Sequence, residues 1–386
     1  MRILILHNRY REPGGEDSVV RTDVQLLRAG GHEVVLHEVS NPEGRGATLA
    51  TLAVSAWNRH SEQEVARILT ESTFDVAHLH NTWFRLTPSV LKPLSRAGIP
   101  IVMTVHNYRF HCLAGTFHRD GRRCLDCLGK TPWRGVVHRC YRDSSAQSAV
   151  LATAELAHRV MRLRQRYVDL FIAPSEFTRR MVVAGGLPSE RVVVRPHYVP
   201  DPGPRAHPPS RSRQVVYAGR LSPDKGVSQL IQAWAAVDLG LELVLAGEGP
   251  LREEVDRRRC PSIRLTGWLT PSDLEHLMMQ ARAVVLPTTM FETFGLAAVE
   301  GMAAGVAVLT TEGGALAEAV GSAGPPAVAA DGGSAEWSSA LALLWDSAAV
   351  DRWGSQARQR YLDAYAPDAA LARLLSVYEL VMTQGR

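Results

Sequence analysis

The sequence predicts an α/β protein made of two Rossmann-like, doubly wound domains that face each other across a cleft. Three observations carry that reading. The chain has 386 residues, 46% of them hydrophobic and 21% charged, which is enough for two separate cores. Short apolar runs of strand length alternate with helical patterns along both halves, the sign of mostly parallel sheets covered by helices on both faces. Between the halves, PHYVPDPGPRAHPPSRSR at 196–213 crowds proline, arginine and serine together and loses periodicity, as an interdomain linker does.

In the first half, RILILH reads as a buried strand. The polar loop REPGGEDS follows, then VVRTDVQLLRAG as an amphipathic helix ending at glycine and HEVVLHEV as a second strand. DVAHLH, IPIVMTVHN and DLFIAPS are further strands, and LTPSVLKPLSRAG and SEFTRRMVVAGG carry helical patterns. In the second half QVVYAGR, LELVLAGEG, SIRLTGW, AVVLPTT, VAVLTT and PAVAA read as strands. The helices between them are VSQLIQAWAAV, PLREEVDRRR, PSDLEHLMMQA and FGLAAVEGMAAG, and the tail reads as helices broken at Pro367. The expected boundaries are 1–198 for the first domain, with a cysteine-rich insertion at 108–145, and 199–365 for the second. A terminal helix at 366–386 is expected to pack back towards the first domain.

The formal net charge is +4, which suits an anionic ligand. There is no dense basic block, so no nucleic-acid partner is expected. MRILILHN has no long apolar run behind it and no segment could span a membrane, which predicts a cytoplasmic protein. The arginine-rich HRVMRLRQRY allows at most a peripheral membrane association. The oligomeric state is not specified by the sequence.

The stretch TMFETFGLAAVEGMAAG places Glu292 and Glu300 eight positions apart. On one helix that is about 12 Å along the axis, whereas glycosidase acid/base pairs lie roughly 5 to 9.5 Å apart. The spacing fits two ends of a long ligand better than two sides of one bond. With a helix starting near Gly295, the backbone N–H groups of Phe294, Gly295 and Leu296 form an anion site. The bland alternative is a small-residue helix on a sheet with Glu292 as a solvated cap. Arg220 and Lys225 in VYAGRLSPDKG follow a strand and Gly219, at the carboxyl edge of the second sheet, where α/β folds bind ligands. Each alone reads as a surface charge; together they read as a diphosphate clamp.

Five cysteines without secretory context read as reduced thiols. Four are close in sequence: a Cys124-x-x-Cys127 knuckle flanked by Cys112 and Cys140, the pattern of a closed four-thiolate structural zinc site. His111, His118 and His138 are substitute ligands, and unliganded thiols are the alternative. Following TVHNY, the insertion is expected to overhang the acceptor side of the cleft.

GRLSPDKG, AGEGP, TGW, FETFGLAAVEGMAAG and TEGGALAE, together with GGED, GHEV, TVHNY and APSEF in the first half, give the chain its family likeness. In order and spacing this set resembles the retaining GT-B glycosyltransferases of glycosyltransferase family 4, over nearly the whole chain. The resemblance implies that Arg220 and Lys225 neutralise the diphosphate of a nucleotide diphosphate sugar. It implies that Glu300 holds the ribose and Glu292 the transferred sugar, with the backbone of Phe294, Gly295 and Leu296 on phosphate and sugar. Gly14 and Gly15 would let the first loop approach the donor, Gly247, Gly249 and Pro250 would shape the wall near the base, Gly267 likewise, and Gly219 would be among the donor-binding residues. His106 of TVHNY would act on the transition state by hydrogen bonding. Two positions depart from the family pattern: Pro196-His197-Tyr198 where many members have Pro-Asn-Gly, and Asn107 where many have aspartate.

The implied activity is transfer of a hexosyl or N-acetylhexosaminyl group, from a UDP-sugar by preference and GDP-mannose after it. The acceptor hydroxyl would belong to a saccharide, a lipid-linked sugar or a small natural product. With no obvious nucleophile, same-face substitution is expected, and no catalytic metal. A nucleotide-sugar epimerase and a noncatalytic nucleotide-sugar-binding protein are the alternatives. A dinucleotide oxidoreductase is disfavoured because REPGGEDS is not a spaced G-x-G-x-x-G turn.

Overall fold

The computed structural model describes residues 1–9, 14–41 and 54–383; Arg11, Glu12 and Pro13 of the expected first loop lie outside them. Contacts divide the chain into two units. Unit 1 is Met1–Phe117, Leu125–Pro196 and the chain from Ala370; unit 2 is His118–Cys124 and His197–Ala369. Among the described residues, no helix is long and apolar enough to cross a membrane.

In chain order the first half supplies β1 (Arg2–Arg9), β2 (Glu33–Ser40), β3 (Val76–Leu79) and β4 (Ile101–Thr104). Two short strands follow, β5 (His118–Arg119) and β6 (Arg122–Arg123), then β7 (Leu170–Ala173) and β8 (Val192–Val194). The sheet of unit 1 runs β2-β1-β3-β4-β7-β8 among the described residues, with every pairing parallel. Strand periodicity splits its side chains between two cores. Leu4 and Leu6 face one with Leu79, Met103 and Phe171, while Ile3 and Ile5 face the other with Val102 and Ile172. Leu374, Val377 and Tyr378 of the last helix, Pro367–Thr383, cover that second face. Tyr378 also shares a 2.8 Å hydrogen bond with Nδ1 of His78, whose Nε2 meets Thr104 at 2.7 Å. Burial pushes His78 down to about 3, so it sits there as a neutral ring.

Helix starts in unit 1 follow capping chemistry. Asn58 and Ser175 cap the helices Arg59–Glu71 and Glu176–Ala184 with their side chains. In the first helix, Gly15–Ala29, Asp17 reaches back to accept from the Gly14 N–H at 2.8 Å.

Unit 2 contributes β9 (Gln214–Ala218), β10 (Glu242–Ala246), β11 (Ile263–Gly267), β12 (Ala283–Leu286) and β13 (Ala307–Thr310). They form a parallel sheet in the order β11-β10-β9-β12-β13. Val215, Leu243 and Leu245 pack with Trp234 and Trp337 on one face; Val216, Val244, Val284 and Val308 pack with Ala298, Met302 and Tyr361 on the other. The β5–β6 hairpin groups with this unit, although sequence order assigned the whole insertion to the first domain.

Two strand assignments change. PAVAA is not a strand: Val328 makes a single bridge to Thr311, and Pro325 and Pro326 lack the N–H groups a ladder needs. Conversely RVVVRP, three valines too short to show a period, forms the sheet-edge strand β8.

Within unit 1, Arg195 at the end of β8 donates both terminal nitrogens to Asp23 of the first helix, at 2.8 and 3.0 Å. Both side chains are almost fully buried, so removing one partner strands a charge in the core. Asp23→Ala is therefore expected to lower stability by about 3–5 kcal/mol. The urea midpoint of the variant against wild type measures it.

Candidate active site

The carboxyl edge of the unit 2 sheet is organised around a short turn. β9 leads through Gly219 and Arg220 into the 3-10 turn Pro223–Lys225. The loop after β12 is fastened to that turn. The Asp224 carbonyl accepts from the N–H of Thr289 at 3.0 Å, the N–H of Met290 at 3.2 Å and the hydroxyl of Thr288 at 3.1 Å. The Thr311 hydroxyl, following β13, donates to the Thr288 carbonyl at 2.8 Å. Three sheet-edge loops are thereby held together.

That fastening brings Lys225 and Glu292 into a direct ion pair. Arg220, whose side chain is 51% exposed, faces Asp224 at 3.4 Å. Both expected clamp cations thus already have a carboxylate beside them. The helix Leu296–Ala303 begins as anticipated, with Gly295 in the left-handed region at φ 96°. A Cβ there would collide with Leu316, so the start of the helix needs glycine twice over. Phe294 turns its ring inward, 5.1 Å from His197 and 5.7 Å from Tyr365, so only its backbone is available to a ligand. Burial, helped by the charge of Glu275, pushes the Glu300 carboxyl up to about 7.

Not every expected residue needs a ligand to explain it. A Cβ on Gly247 would fall on the Gly219 carbonyl, and one on Gly249 on the Leu221 carbonyl. The Gly247 N–H donates to Gly267 at 2.9 Å, and the Gly219 N–H to Ala246 at 3.0 Å. Close backbone approach of the loops leaving β9 and β10 accounts for Gly247 and Gly249.

Unit 1 carries a second polar cluster. Behind the first helix, His7 Nε2 meets Asp17 at 2.8 Å. His106, just after β4, meets Nδ1 of His80 through Nε2 at 2.9 Å, the rings stacked 5.2 Å apart. Asn107 donates to Glu16 Oε1 at 3.1 Å. Glu16 Oε2 is buried without a hydrogen-bond partner among the described residues. Burial pushes this carboxyl up to about 7, against the pull of Asn107, His7 and Arg109. A cavity beside this cluster is lined by His80, Thr82, Trp83, His106, Asn107 and Phe110. Among the described residues a Cβ on Gly14 would meet nothing within 4 Å, and both Gly14 and Gly15 are exposed. Sequence reading selected His106 and the two glycines but not Glu16 or His80, although GGED and DVAHLH display both.

The cysteines are not gathered into a metal site. Among the described residues no three His, Cys, Asp or Glu side chains are placed to hold an ion, and none of the five cysteines is in a disulfide. Cys140 packs against Trp83, Phe84, Leu113 and Tyr141, Cys127 is buried, and Cys124 groups with unit 2 while the other three group with unit 1. Among the substitutes, burial pushes His111 down to about 3 and keeps it neutral.

Comparison with known proteins identifies the family. Residues 13–201 match the model of Glycosyltransferase Family 4, and residues 212–347 that of Glycosyl transferases group 1. A GDP-mannose-dependent alpha-(1-6)-phosphatidylinositol dimannoside mannosyltransferase of Mycobacterium tuberculosis is 36% identical over 110 residues, 28% of this chain and 29% of that protein. A GDP-mannose:cellobiosyl-diphosphopolyprenol alpha-mannosyltransferase of Xanthomonas oryzae is 29% identical over 246 residues, 60% of this chain and 54% of that protein. The chain thus spans under a third of the first of these relatives and about half of the second. Among solved structures, the sucrose-phosphate synthase of Thermosynechococcus elongatus superposes with a TM-score of 0.74 at 16% identity, covering 100% of both chains. Anabaena HepE, in complex with UDP and glucose, gives 0.70 at 17% identity, covering 98% of this chain and 99% of that one. With two parallel-sheet Rossmann-like units and both family models in sequence, the chain belongs to the GT-B glycosyltransferases, family 4 in its first half and group 1 in its second.

Proposed function

We propose that this glycosyltransferase is a retaining enzyme that moves a hexosyl or N-acetylhexosaminyl group from a nucleotide diphosphate sugar to an acceptor hydroxyl. The observation that carries the reading is the Lys225–Glu292 pair, held in place by the Asp224 carbonyl at the mouth of the helix Leu296–Ala303. UDP-sugars come first as donors, since HepE was solved with UDP and with UDP-glucose. GDP-mannose is the second reading, favoured by the names of the mannosyltransferase relatives. Those names also support a saccharide or lipid-linked acceptor.

In this scheme the diphosphate takes Lys225 and Arg220 from their carboxylates, and the helix start adds its N–H groups. Glu292, released from Lys225, accepts hydrogen bonds from the donor sugar, and Glu300 accepts from the ribose. The bond from the anomeric carbon to the leaving phosphate oxygen breaks. A bond to the acceptor oxygen forms on the same face, and the hydroxyl proton passes to the leaving phosphate. Growing negative charge on the diphosphate meets preorganised cations, the arrangement that lowers such barriers. On unit 1, His80 fixes the His106 ring, which hydrogen-bonds the transition state.

A donor panel read by nucleoside diphosphate release tests the reading, because slow hydrolysis reports the donor before the acceptor is known. Lys225→Ala and Arg220→Ala are each expected to lower kcat about 100-fold or more with folding intact; near-normal turnover in both variants rules out the clamp. Glu300→Ala should chiefly raise the donor KM and Glu292→Ala chiefly lower kcat, and the opposite pattern would reverse the donor's orientation.

The raised Glu300 carboxyl gives a pH dependence of definite sign. It keeps its proton below about 7 in the free protein, and only the carboxylate can accept from both ribose hydroxyls. Donor KM is therefore expected to fall between pH 6 and pH 8. Glu300→Gln should flatten that limb, which a KM series across the range measures.

A further inference from the structure

We propose that Arg123, on the β5–β6 hairpin, is a third cation of the donor site and takes a phosphate oxygen of the nucleoside diphosphate. The inference rests on the reading of unit 2 as the donor-binding unit, to which the hairpin belongs. The Arg123 guanidinium lies 4.7 Å over the ring of Phe291, and its Nη2 donates to the Gly313 carbonyl at 2.9 Å. Phe291 immediately precedes Glu292, and Gly313 sits in the turn that leads from β13 to the helix Ala315–Val320. The cation therefore stands at the same sheet edge as the Lys225–Glu292 pair. Across the hairpin, His118 is in register with Arg123 and near enough to Asp224 to feel its charge.

What sets Arg123 apart is its charge balance. Lys225 faces Glu292 and Arg220 faces Asp224, whereas Arg123 has no carboxylate partner among the described residues, and its Nε is buried without a hydrogen-bond partner. Burial alone acts on its ionisation, pulling it down. A half-buried guanidinium keeps its charge, and its buried Nε–H is left without an acceptor. The stacked, hydrogen-bonded pose fixes the planar fork and leaves donors for one more acceptor. A phosphate oxygen satisfies both the charge and that donor geometry.

Calorimetric titration of UDP, with GDP as the second nucleotide, into wild type, Arg123→Ala, Arg123→Lys and Lys225→Ala tests the proposal. Arg123→Ala is expected to weaken UDP binding about 10- to 100-fold, with Arg123→Lys recovering part of the loss because the charge returns. A thermal melt accompanies each variant. Should Arg123→Ala melt early, Arg123→Gln keeps a donor for the Gly313 carbonyl without the charge and gives the same test. UDP affinity within twofold of wild type in Arg123→Ala, with Lys225→Ala weakened, overturns the role of Arg123 and leaves the donor site standing. Unchanged affinity in both variants, or no binding of either nucleotide to wild type, overturns the donor site as well.

Discussion

The backbone carbonyl of Asp224 is the point from which the unit 2 site is hung. It gathers two N–H groups and the hydroxyls of Thr288 and Thr289 from the loop after β12, all between 3.0 and 3.2 Å. A carbonyl has two lone pairs, so the four donors share them. The return is positional. The turn bearing Lys225 and the loop bearing Glu292 cannot slide independently, and the helix that starts at Gly295 keeps its N-terminus aimed along the same edge. Two of the four donors are main-chain N–H groups, so that half of the fastening does not depend on side-chain identity.

Unit 1 is built on a different device, a run of buried histidines at and beyond strand ends. His78 is locked between Tyr378 and Thr104 and held neutral by burial. His80, two residues on and so on the same side of an extended chain, packs tilted against His78 with ring centroids 4.2 Å apart and reaches His106. The neutral His78 ring at the base of this run supports the histidines beyond it by packing rather than by charge. The last helix takes part in the same support through Tyr378, which links the end of the chain to the orientation of the His106 ring.

Most of this architecture was legible in the sequence because strand and helix periods are local. The alternation that predicts two parallel sheets is the alternation found, and the Phe-Gly pair marks the helix start at Leu296. What stayed hidden depends on distance along the chain. Lys225 and Glu292 are 67 positions apart, His80 and His106 are 26 apart, and Glu16 and Asn107 are 91 apart. Each residue is visible alone, but no short-range pattern announces the pairs. The cysteine spacing shows the reverse limit. Cys124-x-x-Cys127 has the form of a zinc knuckle, yet spacing reports only what could converge, and Cys140 is placed by apolar packing with Leu113 and Tyr141. Arg123 carries no sequence signal, because an arginine in a polar insertion is usually a solvated charge.

If Lys225 and Arg220 form the proposed clamp, their pre-pairing has a consequence for selectivity. Lys225 and Arg220 each face a carboxylate before a ligand is present, so the edge is not a bare positive surface that any anion could occupy. A ligand must offer enough acceptor oxygens to replace those carboxylates, and something for the displaced Glu292 to accept. A lone phosphate offers the first and not the second. A sugar diphosphate offers both, its phosphates for the cations and its hydroxyls for the carboxylate. In the proposed scheme the same exchange would tie recognition to chemistry: a sugar that occupies Glu292 would release Lys225 more fully to the leaving diphosphate than the nucleoside diphosphate alone does, so charge stabilisation would be completed by the donor whose bond is to break.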